Sequence, residues 1–117
     1  ANPLACAAAR ASLALLDDSS RERRAAIERA HCAGLARLAG HPRVRSPRVL
    51  GTVAAFDLAG EQGYLSTAGQ ELGRFALGEG VLLRPLGNVV YLLPPYCVNA
   101  EEVDMVYRVI ERFLEER

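Results

Sequence analysis

Val81-Leu82-Leu83-Arg84-Pro85-Leu86-Gly87-Asn88-Val89-Val90-Tyr91-Leu92-Leu93-Pro94-Pro95-Tyr96 holds two apolar runs on either side of Gly87-Asn88. Glycine at the first central position suits a two-residue hairpin turn of the II′ kind. A turn at Gly87-Asn88 sets Leu86 against Val89, Pro85 against Val90 and Arg84 against Tyr91. Pro85 then sits at a non-hydrogen-bonded pair, where its missing N–H costs that pairing nothing, although proline favours a sheet edge. Arg84 is the single charge between Val81 and Asn99. Alternation puts its side chain on the same face as Leu82, Leu86, Val89, Tyr91 and Leu93. A guanidinium among apolar groups needs a partner, because an unpaired buried charge is very costly. No acid lies near it in sequence. A ligand carboxylate, gripped by the planar fork, would satisfy it. Escape to water, or pairing with a distant Asp or Glu, would satisfy it equally. Tyr91 is either a second contact to such a ligand or a core tyrosine with a satisfied hydroxyl.

The hairpin sits among helices. Asn2 and Pro3 have the chemistry of an N-cap and a first helical residue. The Ala/Leu-rich stretch to about Leu16 follows, with Leu4, Ala8, Ala11 and Leu15 on one face. Ser19 and Glu22 have the spacing of a capping box for a second helix to about Leu38. Its inner stripe is Ile27, His31, Gly34, Leu35 and Leu38, and its outer face is mixed in charge. Gly40-His41-Pro42 ends it. Arg48 to Leu58 reads as one long strand, with Gly51 a bulge or a close backbone approach. Gly60-Glu61-Gln62-Gly63 is a loop. Ser66 or Thr67 caps a third helix through Leu72, Phe75 and Ala76, stopped by Gly78 and Gly80. Asn99 and Glu102 open a last amphipathic helix with Val103, Val106, Tyr107, Ile110, Phe113 and Leu114 on one stripe. The expected order is helix, helix, strand, helix, hairpin, helix. It makes one α+β domain, a small antiparallel sheet with helices on one face.

Composition narrows the function. The 117 residues suit one domain, half of them hydrophobic, with 14 basic and 14 acidic side chains and no net charge. That removes the simple electrostatic case for nucleic acid or an anionic membrane. The run Arg43, Arg45, Arg48 lacks interleaved aromatics and reads as solvated. No apolar run reaches the ~20 residues of a membrane span. Every basic residue in the count is arginine. Without lysine, no side chain in this segment can form a Schiff base. Cys6, Cys32 and Cys97 are odd in number and lack C-x-x-C spacing, so neither a disulfide framework nor a metal site is expected. A cytoplasmic setting follows from that usage. His31 and Cys32 are adjacent on a helix, so their side chains diverge. The chain opens on Ala1 without Met and with helix signals at once; it is expected to continue upstream.

Three stretches resemble one family. Asn2-Pro3-Leu4-Ala5-Cys6-Ala7-Ala8-Ala9 is similar to the opening of the C-terminal region of class III, pyridoxal-phosphate-dependent aminotransferases. Arg48-Val49-Leu50-Gly51-Thr52-Val53-Ala54-Ala55 resembles the first strand of their small domain. Gly80 to Tyr96 resembles the branch that makes diaminopelargonate in biotin biosynthesis. The resemblance runs over the whole chain in order. It implies that residues 1–117 are the C-terminal small domain of a larger fold-type-I enzyme, with 1–16 a linking helix from the large domain. It implies a homodimer that moves an amino group from S-adenosylmethionine to 7-keto-8-aminopelargonate, using pyridoxal 5'-phosphate held mainly by the large domain. It implies that Arg84 holds the keto acid's carboxylate and that Tyr91 lines the same site. The catalytic lysine and the cofactor contacts of the family have no counterpart in this segment, so catalytic, cofactor-binding and metal residues are all expected to be absent from it. The alternatives are another class III aminotransferase, of the ω-amino acid or ornithine kind, and a stand-alone regulatory module for a small carboxylate.

Overall fold

The structure, a computed structural model, describes residues 2–60, 63 and 66–116. Among them are four helices and three strands: α1 (Pro3–Ala14), α2 (Asp18–Leu38), β1 (Val44–Leu50), β2 (Val53–Leu58), α3 (Ala68–Gly78), β3 (Val89–Leu92) and α4 (Ala100–Glu115). The strands form one antiparallel sheet in the order β1-β2-β3. The α+β class is as expected. Part of the expected loop, Glu61 and Gln62, lies outside the described residues.

Helix starts follow local chemistry. Asn2 Oδ1 accepts from Leu4 N at 3.0 Å, and Pro3 opens α1. Asn99 and Glu102 close a full capping box on α4, each side chain accepting from the other's backbone N–H at 2.9 Å. At α2 the cap is Asp17, not Ser19: the carboxylate accepts from Ser20 N at 2.9 Å, and the Ser19 hydroxyl donates to the same carboxylate at 2.7 Å. A charged acceptor is the stronger partner for a helix N-terminus. At α3 the Ser66 hydroxyl accepts from Ala68 N at 3.4 Å, while Thr67 makes no side-chain cap.

The long strand is corrected to a hairpin. Gly51 has φ +56 and, with Thr52, turns the chain so that Leu50 pairs with Val53 and Val49 with Ala54. A two-residue turn shifts the phase of the alternation, since Leu50 and Val53 share a face, but in so short a run rich in β-formers only Gly51 marked the place. The bulge is real but lies at Ser46-Pro47, where Ser46 takes φ 49 and the β1–β2 register slips between Arg45 and Arg48.

One face of the sheet is buried. Ala54, Phe56 and Leu58 of β2 and Val90 and Leu92 of β3 meet Leu35, Leu38, Val103, Tyr107, Ile110 and Phe113 of α2 and α4. Every residue of the expected α2 stripe is buried. Gly34 is required there: a Cβ would fall 2.2 Å from Tyr107 Cδ2. Phe75 of α3 packs on Phe113 of α4, with ring centroids 5.6 Å apart. Arg112 of α4 grips Glu79, just beyond α3, through two hydrogen bonds of 2.7 and 3.0 Å. On the other face Arg48 pairs with Asp57 at 3.0 Å. Helix α1 contributes no buried residue.

Candidate functional site

The turn at Gly87-Asn88 forms as expected. Leu86 and Val89 exchange hydrogen bonds of 2.8 and 3.0 Å, and Gly87 takes φ 61. Asn88 locks the turn into the fold. Its side chain is buried, accepts from Gly63 N at 3.0 Å and donates to Leu58 O at 3.4 Å. Its carbonyl accepts from Leu58 N at 2.8 Å.

Beyond that pair the hairpin stops, which corrects the ladder of Pro85 against Val90 and Arg84 against Tyr91. β3 pairs with β2 instead, Tyr91 opposite Ala55 and Val90 opposite Phe56. The stretch before the turn turns to α3. Gly69 N donates to Gly87 O at 3.1 Å. Pro85 lies over Gly69 and Gly73, so near that a Cβ on Gly69 would fall 2.6 Å from Pro85 Cβ and 2.1 Å from Gly87 O. Two glycines four residues apart share one helical face. They give this extended backbone a surface to rest on in place of a strand. That face was missed in the sequence, although Gly69 and Gly73 at helical spacing were visible there.

The alternation of the stretch survives without the ladder. Val81 is buried and Leu83 and Pro85 half-buried, while Leu82, Arg84 and Leu86 face outward. Arg84 and Tyr91 are thus not cross-strand neighbours, yet both line one open cavity of about 380 Å³. His31, Val98, Val103 and Val106 also line it. Among the described residues no Asp or Glu lines the cavity, and Arg84 forms no ion pair or hydrogen bond with any of them. The expected apolar surroundings are there, but exposed rather than buried: Leu82 is 67% exposed, Leu93 64% and Tyr91 41%. Arg84 therefore reaches water.

His31 on the cavity wall has an unusual setting. It is 1% exposed. Its Nδ1 shares a hydrogen bond of 3.0 Å with the Tyr107 hydroxyl, and the Thr52 backbone lies beside it. Burial pushes its pKa below the ordinary histidine value. Burial likewise raises the Tyr107 hydroxyl. Burial favours the neutral imidazole, and among the described residues that line the cavity the other ionisable cation is Arg84. The three cysteines are free and exposed, and no group of His, Cys, Asp and Glu among the described residues could hold a metal ion. Among the described residues no helix is long and apolar enough to cross a membrane.

The sequence pattern of Aminotransferase class-III matches residues 1–114. The chain belongs to the class-III aminotransferase family. Among its relatives, the adenosylmethionine-8-amino-7-oxononanoate aminotransferase of Synechococcus elongatus is 50% identical over 99% of this chain and 27% of its own length. The protein of the same name from Corynebacterium glutamicum is 36% identical over 87% of this chain and 23% of its own. A solved omega transaminase from Pseudomonas jessenii, in complex with PMP, superposes with a TM-score of 0.75 at 30% identity, over 85% of this chain and 23% of that one. The chain thus spans about a quarter of the length of these class-III relatives.

Proposed function

We propose that this chain is the substrate-binding C-terminal part of an aminotransferase that moves an amino group from S-adenosylmethionine to 7-keto-8-aminopelargonate in biotin biosynthesis. The observation that carries the site assignment is Arg84, a guanidinium without a partner among the described residues, on a cavity whose other described lining groups are apolar or neutral. A fixed cation there recognises a carboxylate, and its planar fork takes both oxygens. The apolar walls suit the aliphatic part of such a molecule. Tyr91, on the same wall, offers a hydroxyl to the same ligand. The name shared by the Synechococcus and Corynebacterium relatives supports the choice of reaction.

Family membership implies dependence on pyridoxal phosphate, which supplies the electron sink for moving the amino group when bound. This chain does not by itself fit that group. It has no lysine to hold the cofactor's carbonyl covalently. In the proposed division of labour the cofactor site lies in a large domain outside these residues, the enzyme works as a cytoplasmic homodimer, and this segment positions the acceptor.

A second class-III reading, an omega transaminase, draws on the likeness to the Pseudomonas jessenii structure. Activity of the full-length enzyme with S-adenosylmethionine as donor separates the two. Arg84→Ala in that enzyme should weaken binding of the keto acid by ~1.5–3 kcal/mol, the worth of a charge-assisted bidentate contact. The half-reaction with the amino donor should be far less affected. Equal losses for both substrates would make Arg84 structural.

A further inference from the structure

Arg84 is held outward by a segment that pairs with no strand along Val81 to Pro85. What fixes that segment is helix α3. Gly69 is buried, its N–H donates to Gly87 O at 3.1 Å, and its missing Cβ leaves the space that Gly87 O and Pro85 Cβ occupy. The clash distances at Gly69, 2.1 Å to a backbone oxygen and 2.6 Å to a proline ring, are too short for any side chain and involve no flexible neighbour. Gly73 differs: a Cβ there would meet Leu83 O at 3.5 Å and Pro85 Cδ at 3.6 Å, ordinary contact. The close approach is therefore concentrated at one residue, directly beneath the proline that follows Arg84.

We infer that Gly69 is a positioning residue for substrate: it sets where Arg84 presents its guanidinium to the acceptor's carboxylate. This rests on the reading of Arg84 as the carboxylate binder. The two backbones touch through Gly69, so adding one methyl group must push residues 85–87 off α3. Arg84 moves with them, because proline fixes the backbone that joins it to the turn. A bidentate contact is sensitive to such shifts; misplacing a binding group by about 1 Å can cost up to ~100-fold.

The test uses the full-length transaminase with Gly69→Ala, Arg84→Ala and the double variant. Each is assayed with the keto-acid acceptor and with its methyl ester. Gly69→Ala should raise KM for the acid by about tenfold, leave kcat and the ester nearly unchanged, and add nothing further once Arg84 is alanine. Gly78→Ala, at the open end of α3 where a Cβ meets nothing within 4 Å, should leave both acceptors unchanged. If Gly69→Ala does not fold, Pro85→Gly loosens the same seat from the other side and should give the same pattern. An unchanged KM, or a loss that persists in full in the Arg84→Ala background, overturns the inference and leaves Arg84's role intact. If Arg84→Ala itself does not discriminate acid from ester, the underlying reading of the site fails.

Discussion

Arg84 and His31 both line the cavity but sit in opposite settings, Arg84 exposed and His31 buried. His31 is buried against Tyr107, and burial, outweighing the Thr52 backbone beside it, favours its neutral form. Its folded pKa therefore lies below the unfolded value of about 6.5. In the window between the two values the unfolded state binds more protons, so stability falls as pH drops through that window and is fully present above it. The expected outcome is a denaturation midpoint that is flat above about pH 6.5 and declines below it. His31→Gln should flatten that decline, as read by urea titrations at a series of pH values. An identical slope in wild type and variant would show that His31 does not carry it. Tyr91 was legible as a candidate from the alternation of its strand. His31 was legible as buried but not as a cavity residue, because nothing along α2 reveals what lies across from it.

Among the elements, α4 was the most legible. Its cap, Asn99, directly precedes the 16 residues that carry its stripe. The box of Asn99 and Glu102 satisfies two backbone N–H groups by reciprocal bonds. Asn99→Ala should destabilise the fold by about 1 kcal/mol, within a range of roughly 0.5–2. A thermal or denaturant midpoint would check it, and no shift at all would mean that the first turn of α4 is held by its packing alone. The sheet was less legible. Gly51 stood out as a bulge or a close backbone approach within a strand, where its positive φ makes a turn between two. The Arg45–Arg48 slip at Ser46-Pro47 went unforeseen, since a bulge is defined by the partner strand's register and not by its own residues. The second hairpin was half right: its turn forms, and its ladder gives way after one pair to the glycine face of α3.

At the scale of the whole molecule, two surfaces stand without a covering element. α1 buries nothing, with Leu4 80% and Leu13 66% exposed. The rim of the cavity adds Leu82 and Leu93. Apolar groups gathered in this way mark an interface. In the proposed enzyme they face the large domain and the second subunit. The isolated chain is then expected to self-associate, with light scattering showing a mass that rises with concentration. A clean monomer at high concentration would count against that assignment of these surfaces.

The residues by themselves determined where α1 and α4 start, which stripes α2 and α4 bury, where the chain turns at Gly87-Asn88, and that Arg84 is a lone charge in an apolar run. Those features rest on contacts within a few positions along the chain: i, i+4 bonds, caps and turn dihedrals. The tertiary structure decided which partner each extended segment took. The alternation from Val81 to Leu86 is satisfied equally by a neighbouring strand or by two helical glycines, because both hold one face and leave the other free. Only the fold brought Gly69 beneath Pro85, and so decided that Arg84 shares a cavity with Tyr91 while no strand pairing joins them.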